Sequence, residues 1–291
     1  MSALAIIVGY ALREALRRRV FLIVLVLTAA FLALYAFGVV HVFDEVLRDG
    51  AAESEAFGGP VPIDERVAVG ATLLGLSMFG TLFLATVLAI FLTLGVVRGD
   101  AERGVLQPLV VRPVGRSALL VARFLAAVLV SFPYALAVYA VALGVTYAAG
   151  DWRPDRIASP GLELAAAVAL LAALSLLGSI FLSATANGIA VFMIFGAGLV
   201  AGLLGQIGEA LNSGTLREIA DVAAWILPFE ALYQDALNRL TADTTGLTGF
   251  VVQLGPFGGA QAGGSFLFLW TLAYLVLLGV GAVAAFARRD L

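Results

Sequence analysis

The sequence predicts an all-α polytopic membrane protein: six transmembrane helices, an amphipathic interfacial helix at the N-terminus, and both termini cytoplasmic. Three observations predict it. Hydrophobic residues make up 62% of the 291-residue chain and charged ones only 13%, with a mean hydropathy of +1.05, whereas a soluble domain is about half apolar and about a quarter charged. Six segments can supply the roughly 20 apolar residues that cross a bilayer as a helix. The charges are also sorted. With the N-terminus inside, eleven arginines and four acids fall on inner segments, six and sixteen on outer ones, which is the bias expected of a positive-inside topology.

Residues 2–19 form the amphipathic helix. Leu4, Val8, Leu12 and Leu16 make one apolar stripe, Arg13, Arg17 and Arg18 lie on other faces, and Glu14 is spaced to pair with Arg18. A basic helix of this kind lies in the headgroup plane. The first span covers residues 20–40. Its apolar run is too long for a signal peptide and lacks a small-residue cleavage site, so it is expected to be retained. Residues 41–66 carry seven acids, which reads as a solvated outer loop. The second span, 67–97, is ~46 Å long at the helical rise, against a hydrocarbon core of ~30 Å. Either it tilts or projects toward the cytoplasm, or Val67 to Ala71 belong to the outer loop.

The third span, 124–149, follows Ser117, a suitable helix N-cap. Leu164 to Gly208 is charge-free and too long for one span. Asn187-Gly188 is its strongest turn signal, which divides it into spans 164–186 and 188–208. Residues 209–264 form a long outer segment, with Trp225, Phe229, Leu232, Tyr233 and Leu237 expected on short helices at headgroup level. The last span covers 265–286. The whole of 1–291 reads as a single transmembrane domain.

Absences exclude several chemistries. The chain has no cysteine and one histidine, His41, and all seventeen basic residues are arginine. Thiolate and multi-histidine metal sites are therefore excluded. So is a Walker A loop, which needs a lysine on the phosphates. No cofactor, metal or nucleic-acid partner is expected. Away from their ends the spans hold no Asp, Glu, Arg, His or Lys, which argues against ion-coupled transport and voltage sensing. Arg123 and Glu163 sit at span termini, where long side chains reach the interface. An intramembrane enzyme would need polar partners that the serines and threonines lack. Gly198 and Gly202 form a G-x-x-x-G on the fifth span. With Ser175, Ser179 and Ser183 on the fourth, they read as ordinary packing, a dimer seam or a pathway lining.

The loop 98–117 is the most informative stretch. Glu102-Arg103-Gly104 precedes a short apolar run, then Pro113-Val114-Gly115-Arg116-Ser117 and Arg123-Phe124-Leu125. This order resembles the coupling block of the type-two permeases of ABC (ATP-binding cassette) exporters. Two further segments agree with it: Leu227-Pro228-Phe229 through Ala236-Leu237, and the ending Phe286-Ala287-Arg288-Arg289-Asp290. There are departures: Ala122-Arg123 replaces the family's glycine-lysine, Val105 replaces its threonine, and Pro108 would shorten the coupling helix. Within the family the likeness is nearest to the group containing the nitrous-oxide-reductase maturation permease.

The resemblance implies that Glu102, Arg103, Gly104, Pro113 and Arg116 meet a separate ATPase subunit, which itself binds ATP and Mg. It further implies that Pro228, Phe229 and Tyr233 lie at an extracytoplasmic gate. Two permease subunits would pair as a homodimer in a bacterial plasma membrane and export an unspecified substrate. The alternative is a non-transporting subunit that relays ATPase motion to an extracytoplasmic partner protein.

Overall fold

In lipid a backbone N–H or C=O finds no water, so each must be satisfied within the protein, and a helix does this within one segment. A computed structural model describes residues 8–9, 12–14, 19–57, 64–93, 116–254 and 260–288. Its elements are α1 (Arg19–Phe57), α2 (Glu65–Thr93), α3 (Arg116–Gly150), α4 (Ala158–Phe181), α5 (Ala184–Ala210), α6 (Gly214–Ile226), α7 (Pro228–Asn238), α8 (Gly246–Leu254) and α9 (Leu267–Ala287). Six are long and apolar enough to cross a membrane: α1 as far as Val46, α2, α3, α4, α5 and α9. No strand occurs among the described residues.

The helix boundaries revise the sequence reading in two places and decide between its alternatives in a third. The stretch after residue 40 is not a loop: α1 continues to Phe57, because the single Gly50 is isolated and no proline or glycine pair intervenes before Gly58-Gly59-Pro60. Asp44 and Glu45 are exposed on this extension while Phe43 between α1 and its neighbours is fully buried. Second, α2 takes in Val67 to Ala71. Asp64 caps it, its Oδ1 accepting from the backbone N–H of Arg66 (3.1 Å) and Val67 (3.3 Å). Third, the α4–α5 break falls at Leu182-Ser183 rather than at Asn187-Gly188. Leu182 is extended while its N–H still bonds Gly178 O. The carbonyl of Ser183 then accepts from Asn187 N at 2.8 Å, which places Asn187 inside α5.

The sequence order of these helices defines two ends of the bundle. One end carries the α1–α2, α3–α4 and α5–α9 connections and is covered by α6, α7 and α8; we call it the capped end. The opposite, terminal end carries the α4–α5 turn and the N-terminal segment, where Glu14 pairs with Arg123 at 2.7 Å. The Arg18 that sequence spacing pairs with Glu14 lies outside the described residues.

The centre of the bundle is α4, packed by α2 and α3. Around them, α1 packs on α2 and α3, α9 on α3 and α4, and α5 on α4. The peripheral helices expose large apolar side chains, including Phe37 on α1, Met193 on α5 and Leu269 on α9. Such surface fits lipid. Between α1 and α3, Thr28 bonds Tyr134 and Tyr35 bonds Thr146 (2.6 Å). The hydroxyls of Thr72, Ser77, Thr81 and Thr86 each donate to a carbonyl one turn back on α2. Each hydroxyl proton is thus satisfied within α2.

Candidate functional site

The capped end is organised by α7. Phe229, Leu232, Tyr233, Ala236 and Leu237 fall at i, i+3, i+4, i+7 and i+8, one helical stripe, and all are buried. Pro228 starts the helix, where its fixed φ suits the turn and its missing N–H leaves no bond unmade. Helix α7 packs chiefly on α4 and also meets α5. The three gate candidates therefore sit inside the protein. Phe229 is fully buried and stacks on Phe195 of α5, with ring centroids 6.1 Å apart. Tyr233 is buried, and its hydroxyl has no hydrogen-bond partner. Of the aromatics expected at headgroup level, only Trp225, just ahead of α7, is exposed.

The glycine pair on α5 explains this approach. A Cβ on Gly198 would stand 2.5 Å from Phe229 Cζ, and one on Gly202 would stand 2.0 Å from Glu230 Oε1. Both distances are far inside van der Waals contact. The G-x-x-x-G is the seat of α7 within one subunit, so of its three sequence readings the structure supports packing, against a helix that is not itself a span.

Charged groups gather beneath and beside α7. Glu163, near the start of α4, is fully buried. Its Oε1 lies 2.6 Å from Arg239 Nε, just past the end of α7. Arg239 also donates from Nε (2.9 Å) and pairs from Nη2 (2.8 Å) with Asp235 Oδ2. The single Nε–H is aimed at Asp235, so Glu163 is held by charge rather than by an aligned hydrogen bond, and both its oxygens lack an aligned donor. Asp235 Oδ1 accepts from Gly263 N at 2.7 Å, which pins the approach to α9. Glu163 therefore does not reach the interface as span-end position suggests. Helix α7 covers that end of α4 and brings the counter-charge with it.

On the α5 side, Gln206 Nε2 donates to Gln234 Oε1 (3.2 Å) and Gln234 Nε2 donates to Glu230 Oε1 (2.8 Å). Glu230 Oε2 has no partner. Burial pushes the Glu230 carboxyl up to about 7, against the opposing hydrogen bond from Gln234. Burial also raises the Tyr233 hydroxyl, with the Glu230 charge adding to it.

A second polar cluster lies toward the terminal end and carries no charge. Thr93, the last described residue of α2, donates to Ser175 Oγ of α4 at 2.7 Å. Asn187 of α5 donates from Nδ2 to Ser175 O (2.8 Å) and to its Oγ (3.3 Å). All three residues are fully buried. One serine thus joins the end of α2 to the α4–α5 hairpin.

Of the other site candidates, Glu102, Arg103, Gly104 and Pro113 lie outside the described residues. Arg116 is the first residue of α3. Sequence reasoning missed the Glu163–Arg239–Asp235 cluster and the Thr93–Ser175–Asn187 link. The i,i+4 spacing of Asp235 and Arg239 was a usable signal for the first; a single sequence offers none for the second. Among the described residues no group of His, Asp and Glu could hold a metal ion.

The family model described as ABC-2 family transporter protein matches residues 5–291. It does not single out the nitrous-oxide-reductase maturation group. No curated protein matches the chain.

Proposed function

This chain belongs to the ABC-2 transporter family, and from that premise we propose that it is the membrane-spanning half of an ATP-driven exporter in a bacterial plasma membrane, paired with a second copy and with two separate ATPase chains. The single observation that carries this is a family match over nearly the whole chain, on a bundle of six helices able to cross a membrane. ATP and Mg belong to the ATPase, since a chain without lysine cannot build a Walker A loop. The capped end faces outward, as the arginine distribution favours.

In this reading, closure of the ATPase dimer moves the loop 98–117, with Glu102, Arg103 and Arg116 as charged contacts and Gly104 and Pro113 shaping the turn. The loop continues from α2 and leads into α3, so displacement loads both helices at their terminal ends. Thr93 passes the displacement through Ser175 and Asn187 to the α4–α5 hairpin. The far end of that hairpin seats α7 on Gly198 and Gly202. Rotation of α5 against α4 then shifts α7 and its gate residues Pro228, Phe229 and Tyr233. Release of substrate follows at the capped end.

The test is assembly and turnover. Replacing Glu102→Ala together with Arg116→Ala is expected to abolish co-purification of a P-loop ATPase and transport-coupled ATP hydrolysis, with the permease itself still folded. Intact assembly and turnover in the double variant contradict the coupling role of this loop.

A further inference from the structure

The capped end contains a cavity that the permease reading does not use. It has a volume of ≈ 220 Å³ and lies between α5, α6, α7 and the start of α9. Gly202, Trp225, Glu230, Gln234 and Trp270 are among the residues that line it. Glu230 is 3% exposed, and one of its carboxylate oxygens has no partner. Buried polar atoms are nearly always hydrogen-bonded, so an orphaned one calls for an explanation, and a buried carboxylate left alone costs several kcal/mol or takes up a proton. Its neighbour Gln234 donates to Glu230 Oε1 and accepts from Gln206, and it leaves the other carboxylate oxygen without a partner.

The remaining walls set the chemistry. Trp225 and Trp270 meet edge to face, with centroids 5.2 Å apart. The Trp270 N–H is occupied by Trp225 O at 3.0 Å, so the indole surfaces toward the cavity act as apolar and π surface. The charged residues lining the space are both acids, the buried Glu230 and the exposed Asp221. An anion is disfavoured there, whereas a cation meets a carboxylate and two aromatic rings. The volume is below the ~300 Å³ at which drug-sized pockets begin. That admits a small molecule, or the head of a longer one.

We propose that this cavity is a binding site for a small protonated amine, its ammonium drawn to the Glu230 carboxylate and its apolar body against the faces of Trp225 and Trp270. A soluble amine and the ammonium headgroup of a phospholipid share this chemistry. The acidic groups at the site are Glu230, Tyr233 beside it on α7 and Asp221 of α6, which lines the cavity. The site needs no ATPase, so it stands or falls independently of the coupling assignment.

The test uses the full chain in nanodiscs and reads tryptophan fluorescence. Two of the three tryptophans line the cavity, and Trp152→Phe removes the third. Benzylammonium is titrated against benzyl alcohol, which has the same shape without the charge. The expected result is a saturable change with benzylammonium and binding of the alcohol weaker by roughly tenfold. Glu230→Gln should erase that difference. Benzylammonium affinity should rise from about pH 6 to about pH 8 as Glu230 ionises.

Equal binding of the two probes by the unmutated chain overturns the proposal, and that outcome does not depend on how any cavity variant folds. So does preference for the amine that survives Glu230→Gln. Weaker benzylammonium binding in nanodiscs containing phosphatidylethanolamine than in phosphatidylglycerol alone identifies the lipid headgroup as occupant. Equal affinity in the two supports a soluble amine.

Discussion

The two buried polar clusters solve one problem with different chemistry. Toward the terminal end, Thr93, Ser175 and Asn187 are neutral and exchange ordinary hydrogen bonds among three helices that span. At the capped end, two carboxyl groups, Glu163 and Asp235, share the Arg239 guanidinium, and Glu230 lies one to two turns earlier on α7. The difference follows from what surrounds each. An ionised side chain in the hydrocarbon region costs several kcal/mol, so helix-to-helix links there use hydroxyls and amides. A charge is tolerated at the mouth of the bundle because α7 covers it and Arg239, 31% exposed along its side chain, retains water. The neutral cluster is suited to transmitting displacement between helices, and the charged one to fixing a lid.

Breaking the charged cluster should have the largest effect. Arg239→Ala leaves Glu163 and Asp235 buried without their counter-charge, at an expected loss of about 3 kcal/mol, read as thermal unfolding of the purified chain. Adding Glu163→Gln should recover much of it. A loss no greater than the ~1 kcal/mol of an exposed ion pair would mean that the cluster does not behave as buried. Next is the seat of α7: Gly202→Leu places a side chain where Glu230 and Gln234 now lie, and overpacking of this kind costs about 1–3 kcal/mol. The same variant should make residues 228–238 cleavable by protease, whereas Asn187→Ala should not.

A pH titration separates the clusters without altering the chain. Glu230 holds its proton longer folded than unfolded, at about 7 against an ordinary 4.5. Its contribution is therefore complete below about 4.5, declines as pH rises toward 7, and is spent above that. Unfolding temperature followed across this window should fall in the parent and fall less steeply in Glu230→Gln. The smallest expected change is that of Asn187→Ala, about 1 kcal/mol for the bonds to Ser175. Combined with Arg239→Ala it should be additive, since the clusters share no partner.

Much of this was legible in the sequence, for identifiable reasons. Span number follows from hydrophobic run length, and short helices in 209–264 follow from the spacing of Phe229, Leu232, Tyr233 and Leu237, whose stripe reads as facing the headgroups but is buried on neighbouring helices. The G-x-x-x-G was visible as a close-approach motif, but its occupant was not, because Phe229 and Glu230 come from a helix outside the spans. Asn187-Gly188 misled as a turn signal: local propensity favoured a break there, while Asn187 gains more by bonding Ser175 inside α5. The helical extension of α1 was hidden because a run of acids reads equally well as a loop or as a solvated helix. Glu163 looked like a side chain reaching for water, since its partner Arg239 lies on a distant segment.

The central claim is that displacement begun at the loop 98–117 reaches α7 through the neutral cluster. The chain contains no cysteine, so spin labels can be placed at Leu203→Cys on α5 and Ala231→Cys on α7 without background. Their separation would be measured in the assembled complex, nucleotide-free and trapped with ATP. The account predicts a shift in the distance distribution on trapping, abolished by Asn187→Ala while the ATPase remains bound. An unchanged distance in the two states, or a shift that Asn187→Ala leaves intact, contradicts it.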